Sequence, residues 1–477
     1  MTDGMSVTLV VAVICSMAMG MLYVDKRSFF VVLGGVFFLC GFWRTEQMFH
    51  SLENKPLLGQ LMSAEGYAER DSERGVLFNT VLFRAEKCRE ETVCPKDPVR
   101  ISVNRLDFFS YGDRMRVSCT LTFPENGAKD GFDARMFFAK ERVGYVCERA
   151  DMEKLSGKGG NFVYRNLFDI RHRMESSLRR FLPEPGAGLA IGMLFGGSNN
   201  LSHETADMFA KTSMTHIVAV SGYNVSVLAY FFLEAGIIVG LWRRQAFWLA
   251  IAAVFAFVAV IGFPPSAVRA GIMGSVILAS VQFGRTGNAL NALLLAGTIM
   301  LIANPFLLRY DIGFQLSFLA TFGILVCMPI FQNISKGGSF SFLSELFFTT
   351  ISAQLFVFPC IAYYFHIVSF SGLIANMLIL WMIPVAMCAV CMSAISGMFF
   401  GDIVAPFFWL THGLLWYETE VIRVLASLDF GFIRFNHGTV WGMIAGYIGL
   451  AGGIFIGKRM IFHACQHHDR ASLNYRG

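Results

Sequence analysis

Residues 246–270 read A-F-W-L-A-I-A-A-V-F-A-F-V-A-V-I-G-F-P-P-S-A-V-R-A. From Ala246 to Gly262 no side chain is charged, and the run is long enough to cross a hydrocarbon core as a helix, which takes roughly 17–25 residues. Pro264 and Pro265 end that helix, because neither has an N–H to donate. Arg269 then stands just inside the next apolar run. Apolar helices broken by prolines, with isolated polar residues at membrane depth, describe a polytopic membrane body whose interior is not wholly apolar.

Working outward, similar apolar runs lie at 5–23, 28–43, 217–241, 267–283, 288–303, 313–332, 344–365, 371–399, 403–427 and 438–457, which with 246–262 makes about eleven spans. The 371–399 run is long and contains Pro384. The chain of 477 residues is 55% hydrophobic and 15% charged, with 48 Phe, against about 25% charge in ordinary globular proteins. That excludes a soluble enzyme, a disordered chain and a disulfide-rich secreted domain. The first run lacks a basic leader and a small-residue cleavage site, so it reads as an anchor. Lys26, Arg27, Arg243, Arg244, Arg285, Lys336, Lys458 and Arg459 fall on one side if the N-terminus is outside, with Arg309 and Arg434 as exceptions. The expected location is the inner (plasma) membrane, with a cytoplasmic C-terminus.

The charges are concentrated. Residues 44–204 hold 24 of the 39 Lys and Arg and 23 of the 34 Asp and Glu, which makes them a near-neutral polar insert on the outer face. Leu57–Ala68, Val76–Ala85, Val99–Val103, Arg114–Thr122 and Arg142–Cys147 are β-branched or alternating, and five short strands suit a small barrel of the oligonucleotide-binding type. The expected fold class is therefore a polytopic α-helical membrane protein of about eleven spans, with an extracytoplasmic OB-like β-barrel after span two. The expected divisions are 1–43 (two membrane helices), 44–162 (β domain), 163–204 (amphipathic helix and interfacial segment), 205–457 (membrane body) and 458–477 (tail). Cys88, Cys94, Cys119 and Cys147 lie in the insert and are disulfide candidates in an oxidising compartment, with three connectivities open. Val163, Leu167, Ile170, Met174, Leu178 and Phe181 form a helical stripe. Arg165, Arg173, Arg179 and Arg180 take other faces, as on a helix lying on a membrane or against the barrel. Gly186–Gly197 is apolar but too short to span, and reads as re-entrant or interfacial.

Three polar islands interrupt the membrane body. The first carries His216, Ser221, Gly222 and Asn224, with Gly222 permitting local unwinding. The second runs from Gly262 through Pro265 to Arg269, and the third holds Asp311, Gln315 and Ser317. Asp311 is the expected partner of Arg269. Gln354, before Pro359, is a weaker fourth spot. Each has a plainer reading: helix–helix hydrogen bonding for the first, snorkelling for Arg269, and an N-cap for Asp311. No metal or cofactor site is expected; the tail's His463, Cys465, His467 and His468 lack a supporting shell.

At these residues the sequence resembles the ComEC family of DNA-internalisation channels. His216–Asn224, H-I-V-A-V-S-G-Y-N, is similar to the family's H-L-L-A-V-S-G-L-H, with Asn224 where the family often has His. P-P-S-A-V-R-A-G-I-M from Pro264, D-I-G-F-Q-L-S-F-L-A from Asp311, and S-A-Q-L-F-V-F-P from Ser352 with Tyr364-Phe365-His366 follow in the family's order. Tyr111-Gly112-Asp113 and the P-E-N-G…F-D stretch ending at Phe132-Asp133 resemble its outer domain. The resemblance implies uptake of single-stranded DNA during natural transformation. The outer face would be guided by Arg114, Arg116, Arg165 and Arg173. The path would be lined by His216, Ser221, Gly222, Asn224, Pro265, Arg269, Asp311, Gln315, Ser317 and Gln354. Many relatives continue into a metallo-β-lactamase-type nuclease domain, whereas this sequence stops at Gly477 without an H-x-H-x-D-H motif, and it has no ATP-binding G-x-x-x-x-G-K-[ST] run. The expected partners are single-stranded DNA, membrane lipid, an extracytoplasmic DNA receptor and a cytoplasmic ATP-driven translocase, and the protein is expected not to be an enzyme. A transporter of a small or lipid-like substrate is the alternative, since polar islands at membrane depth serve it equally. A membrane hydrolase using Ser221 and His216 comes third.

Overall fold

A computed structural model of the chain describes residues 43, 57–73, 78–89, 94–122, 138, 140–141, 143–148, 150–197, 200–334, 342–369, 371–428, 432–434, 441–450 and 452–453. The first expected span and nearly all of the second, Phe132-Asp133, Lys336 and the tail histidines lie outside these residues. The chain divides into two compact units, Met1–Arg165 with Gly297–Ile312, and Asn166–Ala296 with Gly313–Gly477.

The first unit is built on one mixed sheet of six strands: β1 (Leu61–Ala68), β2 (Asn79–Cys88), β3 (Val99–Val103), β4 (Asp113–Thr120), β5 (Tyr145–Cys147) and β6 (Asp151–Lys158). Their order is β5-β3-β2-β1-β4-β6, antiparallel throughout except for the parallel pair β3–β5. Alternate residues turn to one face, where Met62, Ala64, Val81, Phe83, Val99, Ile101, Met115, Val117 and Cys147 are buried together. Gly66 sits at the β1 bulge, and a Cβ there would fall 2.0 Å from the Arg84 carbonyl oxygen, so only glycine lets β2 approach.

Two expectations change here. The sequence reading finds five strands; β6, D-M-E-K-L-S-G-K, is the sixth. It is largely exposed on both faces, so it carries none of the period-2 signal that marks the others, and its pairing to β4 alone makes it a strand. The strand ladders also leave β5 and β6 as the two ends of the sheet and do not by themselves close the expected barrel. One antiparallel bridge, Thr122 to Val146, and the Cys119–Cys147 disulfide tie the chain at and just beyond β4 to β5. Cys88 is bonded to Cys94.

The second unit is helical. The boundary between the units falls within α1 (Phe162–Phe181), which is followed by α2 (Gly186–Phe195), α3 (His203–Lys211), α4 (Thr215–Val218), α5 (Gly222–Ile238), α6 (Arg243–Val260), α7 (Pro265–Gln282) and α8 (Ala289–Ala303). The end of α8 and α9 (Leu307–Tyr310) belong to the first unit, and the second resumes with α10 (Ile312–Ile334), α11 (Phe342–Phe365), α12 (Ser371–Ile379), α13 (Ile383–Phe400) and α14 (Ala405–Ala426). A short ladder pairs β7 (Ile367–Ser369) with β8 (Phe432–Arg434), and α15 (Trp441–Leu450) is a further apolar helix.

Among the described residues four helical stretches are long and apolar enough to cross a membrane: Arg243–Val260, Ile312–Gln332, Ser344–Phe365 and Ile383–Ala426. Large apolar side chains, including Trp248, Phe255, Leu294, Phe399, Trp409 and Trp416, stand exposed along the helices, as lipid-facing residues do. The expected span at 217–241 is a helix of 17 residues and that at 288–303 one of 15. α7 has the length of a span, but Ser266, Arg269 and Gln282 lower its hydropathy. The 371–399 run is two helices, with Pro384 in the first turn of α13 rather than in mid-helix. Its first-turn position explains the break, since there the missing N–H costs nothing.

All ten residues of α2 are buried, and its Leu189, Ile191, Met193 and Leu194 are the centre of a core shared with α1, α13 and α14. A short apolar helix wrapped by protein is the form that a non-spanning segment takes at membrane depth. The α1 stripe divides along its length: Val163 and Ile170 are exposed, while Leu178 is fully buried in that core.

A polar cluster as candidate functional site

The cluster grows from the break before α5. Ser221 is the N-cap of that helix, and its Oγ accepts from the Asn224 N–H at 3.3 Å. The same hydroxyl donates to Asn224 Oδ1 at 3.0 Å, and Asn224 Nδ2 donates to the Met193 carbonyl of α2 at 3.1 Å. Asn224 is 2% exposed, so it ties α5 to the core rather than lining open space.

A left-handed turn at Gly262 and Phe263, followed by Pro264 as N-cap and Pro265 in the first turn, starts α7. Ser266 Oγ donates to the Val220 carbonyl at 2.6 Å, locking that start against the 219–221 break. One turn on, Arg269 is buried. Its Nε donates to Ser317 Oγ at 2.8 Å and its Nη1 to Thr321 Oγ1, both on α10, and its guanidinium lies 5.9 Å from the Phe318 ring centroid. Gly222 completes the contact, since a Cβ there would lie 2.5 Å from Arg269 Nη2. Three polar islands far apart in sequence therefore meet at one guanidinium.

Asp311, the expected partner of Arg269, is held instead by Lys140, whose Nζ donates to Asp311 Oδ2 at 3.1 Å, while Asn304 Nδ2 donates to the Lys140 carbonyl at 2.8 Å. Among the described residues no ion pair includes Arg269; its partners are hydroxyls, the Met273 sulfur and a ring. Spacing along a helix does not show which hydroxyl faces an arginine on another helix, and this is why the pairing read from sequence differs. The remaining expected residues lie around or apart from the cluster. His216, on α4, is exposed and bonds the Ser213 carbonyl through Nδ1 at 3.0 Å. Gln315 accepts from Cys360 Sγ at 3.7 Å, and Gln354 is half-buried on α11.

Thr321 was missed by the sequence reading, although it lies four residues beyond Ser317, the spacing that puts two hydroxyls on one helix face, and Ser266 lay within the second island without being singled out. Glu418 on α14 was missed too. It is 1% exposed, and neither carboxyl oxygen has a hydrogen-bond partner among the described residues.

The guidance residues on the sheet are largely engaged. Arg114 pairs with Glu86 at 3.0 Å, and Arg116 bridges Glu65 at 2.7 Å and Glu153 at 2.6 Å. The hydrogen bond from Arg116 holds the Glu65 carboxyl below its ordinary range. On α1, Arg165 lies over the Phe162 ring at 5.4 Å, Arg171 pairs with Glu175, and Arg179 and Arg180 pair with Glu184 and Asp402. Arg173 is exposed and enters no ion pair among the described residues.

Comparison with known proteins fits this arrangement. The family described as "Competence protein" matches residues 193–460, which contain the whole cluster. The chain is 25% identical over 339 residues to the "ComE operon protein 3" of Bacillus subtilis (strain 168), covering 70% of this chain and 42% of that one. It thus spans less than half the length of that curated relative. No solved structure matches. With the family match covering more than half of the sequence, the chain belongs to the competence protein family.

Proposed function

We propose that the protein is a membrane channel through which single-stranded DNA enters the cell during natural transformation. The observation that carries the reading is Arg269, a buried cation in an apolar body with no carboxylate partner among the described residues. Removing a charge from water costs several kcal/mol unless an opposite charge compensates it. A passing phosphate backbone supplies that charge transiently, whereas a permanent Asp or Glu would cancel it. Membership of the competence protein family supports a role in competence.

In this reading the sheet works outside the membrane as a small closed barrel. The Thr122–Val146 bridge and the Cys119–Cys147 bond support closure, because both draw β4 and β5 together. Arg173, which enters no ion pair among the described residues, offers its charge to a strand, while Arg114 and Arg116 must first leave their glutamates. An extracytoplasmic receptor delivers the DNA and a cytoplasmic ATP-driven translocase pulls it. The chain itself acts as a conduit and not as an enzyme, in keeping with the Ser221 hydroxyl being committed to Asn224.

The test is entry of labelled DNA into cells carrying Arg269→Ala, with membrane insertion checked by an epitope tag. Uptake should fall at least tenfold, on the scale of losing one buried charge contact. Normal uptake with normally inserted protein would remove the channel reading, and unchanged uptake with loss of a small solute's transport would favour the transporter.

A further inference from the structure

Arg269 places its Nε and Nη1 against Ser317 and Thr321 but leaves Nη2 without a hydrogen-bond partner among the described residues. That free nitrogen abuts Gly222, the first residue of the 17-residue helix α5. At this helix start the Asn224 N–H is taken by the Ser221 hydroxyl and the Val225 N–H by the Ser221 carbonyl. The Gly222 and Tyr223 amides make no hydrogen bond among the described residues. Two orphan N–H groups, the positive end of a helix dipole and a buried guanidinium nitrogen are therefore gathered at one place. Like charge meets like charge there, and an anion between them turns repulsion into attraction. The helices that form the cluster carry no carboxylate close to it: α7 and α10 contain none, Asp311 just before α10 is bonded by Lys140, and the one on α5, Glu234, lies twelve residues beyond Gly222, about 18 Å of helix. Arg269 is 8% exposed, whereas the neighbouring Tyr223 is 43% exposed.

We infer that Arg269 Nη2 and the Gly222 and Tyr223 amides form a binding site for a phosphodiester anion, with Gly222 kept free of a side chain so that the guanidinium can reach the helix start. The site rests on the uptake reading only for the source of its phosphodiester, the backbone of the entering strand; an anionic lipid headgroup has the same chemistry. Hydroxyls rather than carboxylates steady the arginine, so its charge is directed without being neutralised. Each phosphate would be held by one open nitrogen and backbone amides, contacts that read no base and release easily.

The test uses the full chain in nanodiscs with Tyr223→Cys, which keeps the backbone amide and adds a thiol at an exposed position. The rate of thiol modification is measured with a negatively charged methanethiosulfonate and with its positively charged counterpart, subtracting labelling of the parent protein. The anionic reagent should react about tenfold faster, the size of effect that one close, poorly screened charge exerts. That preference should collapse on adding Arg269→Gln. Gly222→Ala, which alters no charge, should also reduce it severalfold by pushing the guanidinium away. An oligothymidylate with phosphodiester linkages should slow modification in phosphatidylcholine discs, and its methylphosphonate analogue should not. Slowing by phosphatidylglycerol but not by the oligonucleotide would keep the phosphate site while counting against DNA as its occupant. Equal reactivity of the two reagents, unchanged by either substitution, would overturn the site whatever the uptake assay gives.

Discussion

At Asn224 one side chain makes two connections: its amide nitrogen donates to Met193 on α2, and its carbonyl accepts from Ser221 at the head of α5. An apolar side chain there takes the donor from the Met193 carbonyl and the acceptor from the Ser221 hydroxyl proton. Asn224→Leu should therefore lower stability by about 1–3 kcal/mol, read as a fall in the thermal midpoint in detergent. Glu418 presents the opposite case, a carboxyl 1% exposed with neither oxygen bonded among the described residues. A group of that kind weakens the fold that contains it, and Glu418→Met, of similar volume, should raise stability by about 1–4 kcal/mol in the same assay. A drop in stability would mean that a partner outside the described residues satisfies it. Gly323 fixes a third point, since a Cβ there would lie 2.5 Å from the Ser352 carbonyl of α11 and 2.8 Å from the Phe356 ring. Small residues at such positions let membrane helices approach closely.

At the scale of elements, the two disulfides do unequal work. Cys119–Cys147 closes a separation of 28 residues and links the end of β4 to β5, whereas Cys88–Cys94 closes one of 6 at the end of β2. By loop-closure entropy the first contributes about 3–4 kcal/mol and the second about 2 kcal/mol. Paired serine substitutions should show that ranking in the protease resistance of the sheet. The charge lattice between β1, β4 and β6 adds a pH dependence. Arg116 holds the Glu65 carboxyl below its usual range, so its unfolded pKa is the higher one. The pair's contribution is full at pH values above the ordinary carboxylate range of about 4.3 and fades as pH falls through the lower folded value. Arg116→Gln should return the Glu65 titration, followed by carboxyl-carbon NMR, upward toward that ordinary value. Among the helices, α7 is held at its start by Ser266 and in its second turn by Arg269, so the element bearing the candidate site is fixed at two adjacent points.

For the whole molecule, the proposed orientation puts the sheet outside the membrane and the Arg285 loop in the cytoplasm. Protease added to spheroplasts should cut the segment between β4 and β5 and spare that loop, with cleavage mapped by mass spectrometry. The reverse pattern would invert the topology. Much of this organisation is legible in the sequence, because lipid imposes a simple rule: apolar runs of sufficient length, separated by charge. Within the sheet, alternation at Met115, Val117 and Cys119 marks β4 clearly, while the polar β6 leaves no periodic trace. The candidate site was half legible. Ser221, Gly222, Asn224, Arg269 and Ser317 stand out because polar residues are rare at membrane depth. Thr321 and Ser266 do not, because hydroxyls pass easily within apolar helices by bonding the preceding turn, as Thr321 does to the Ser317 carbonyl at 3.0 Å. By itself the sequence determined a membrane body, a polar insert and the three islands, since each depends on what a short stretch of chain tolerates in lipid or water. Only the tertiary structure decided that those islands meet at Arg269 and that Asp311 bonds Lys140. Which side chains share a place is fixed by how helices distant in sequence pack, and no local pattern records it.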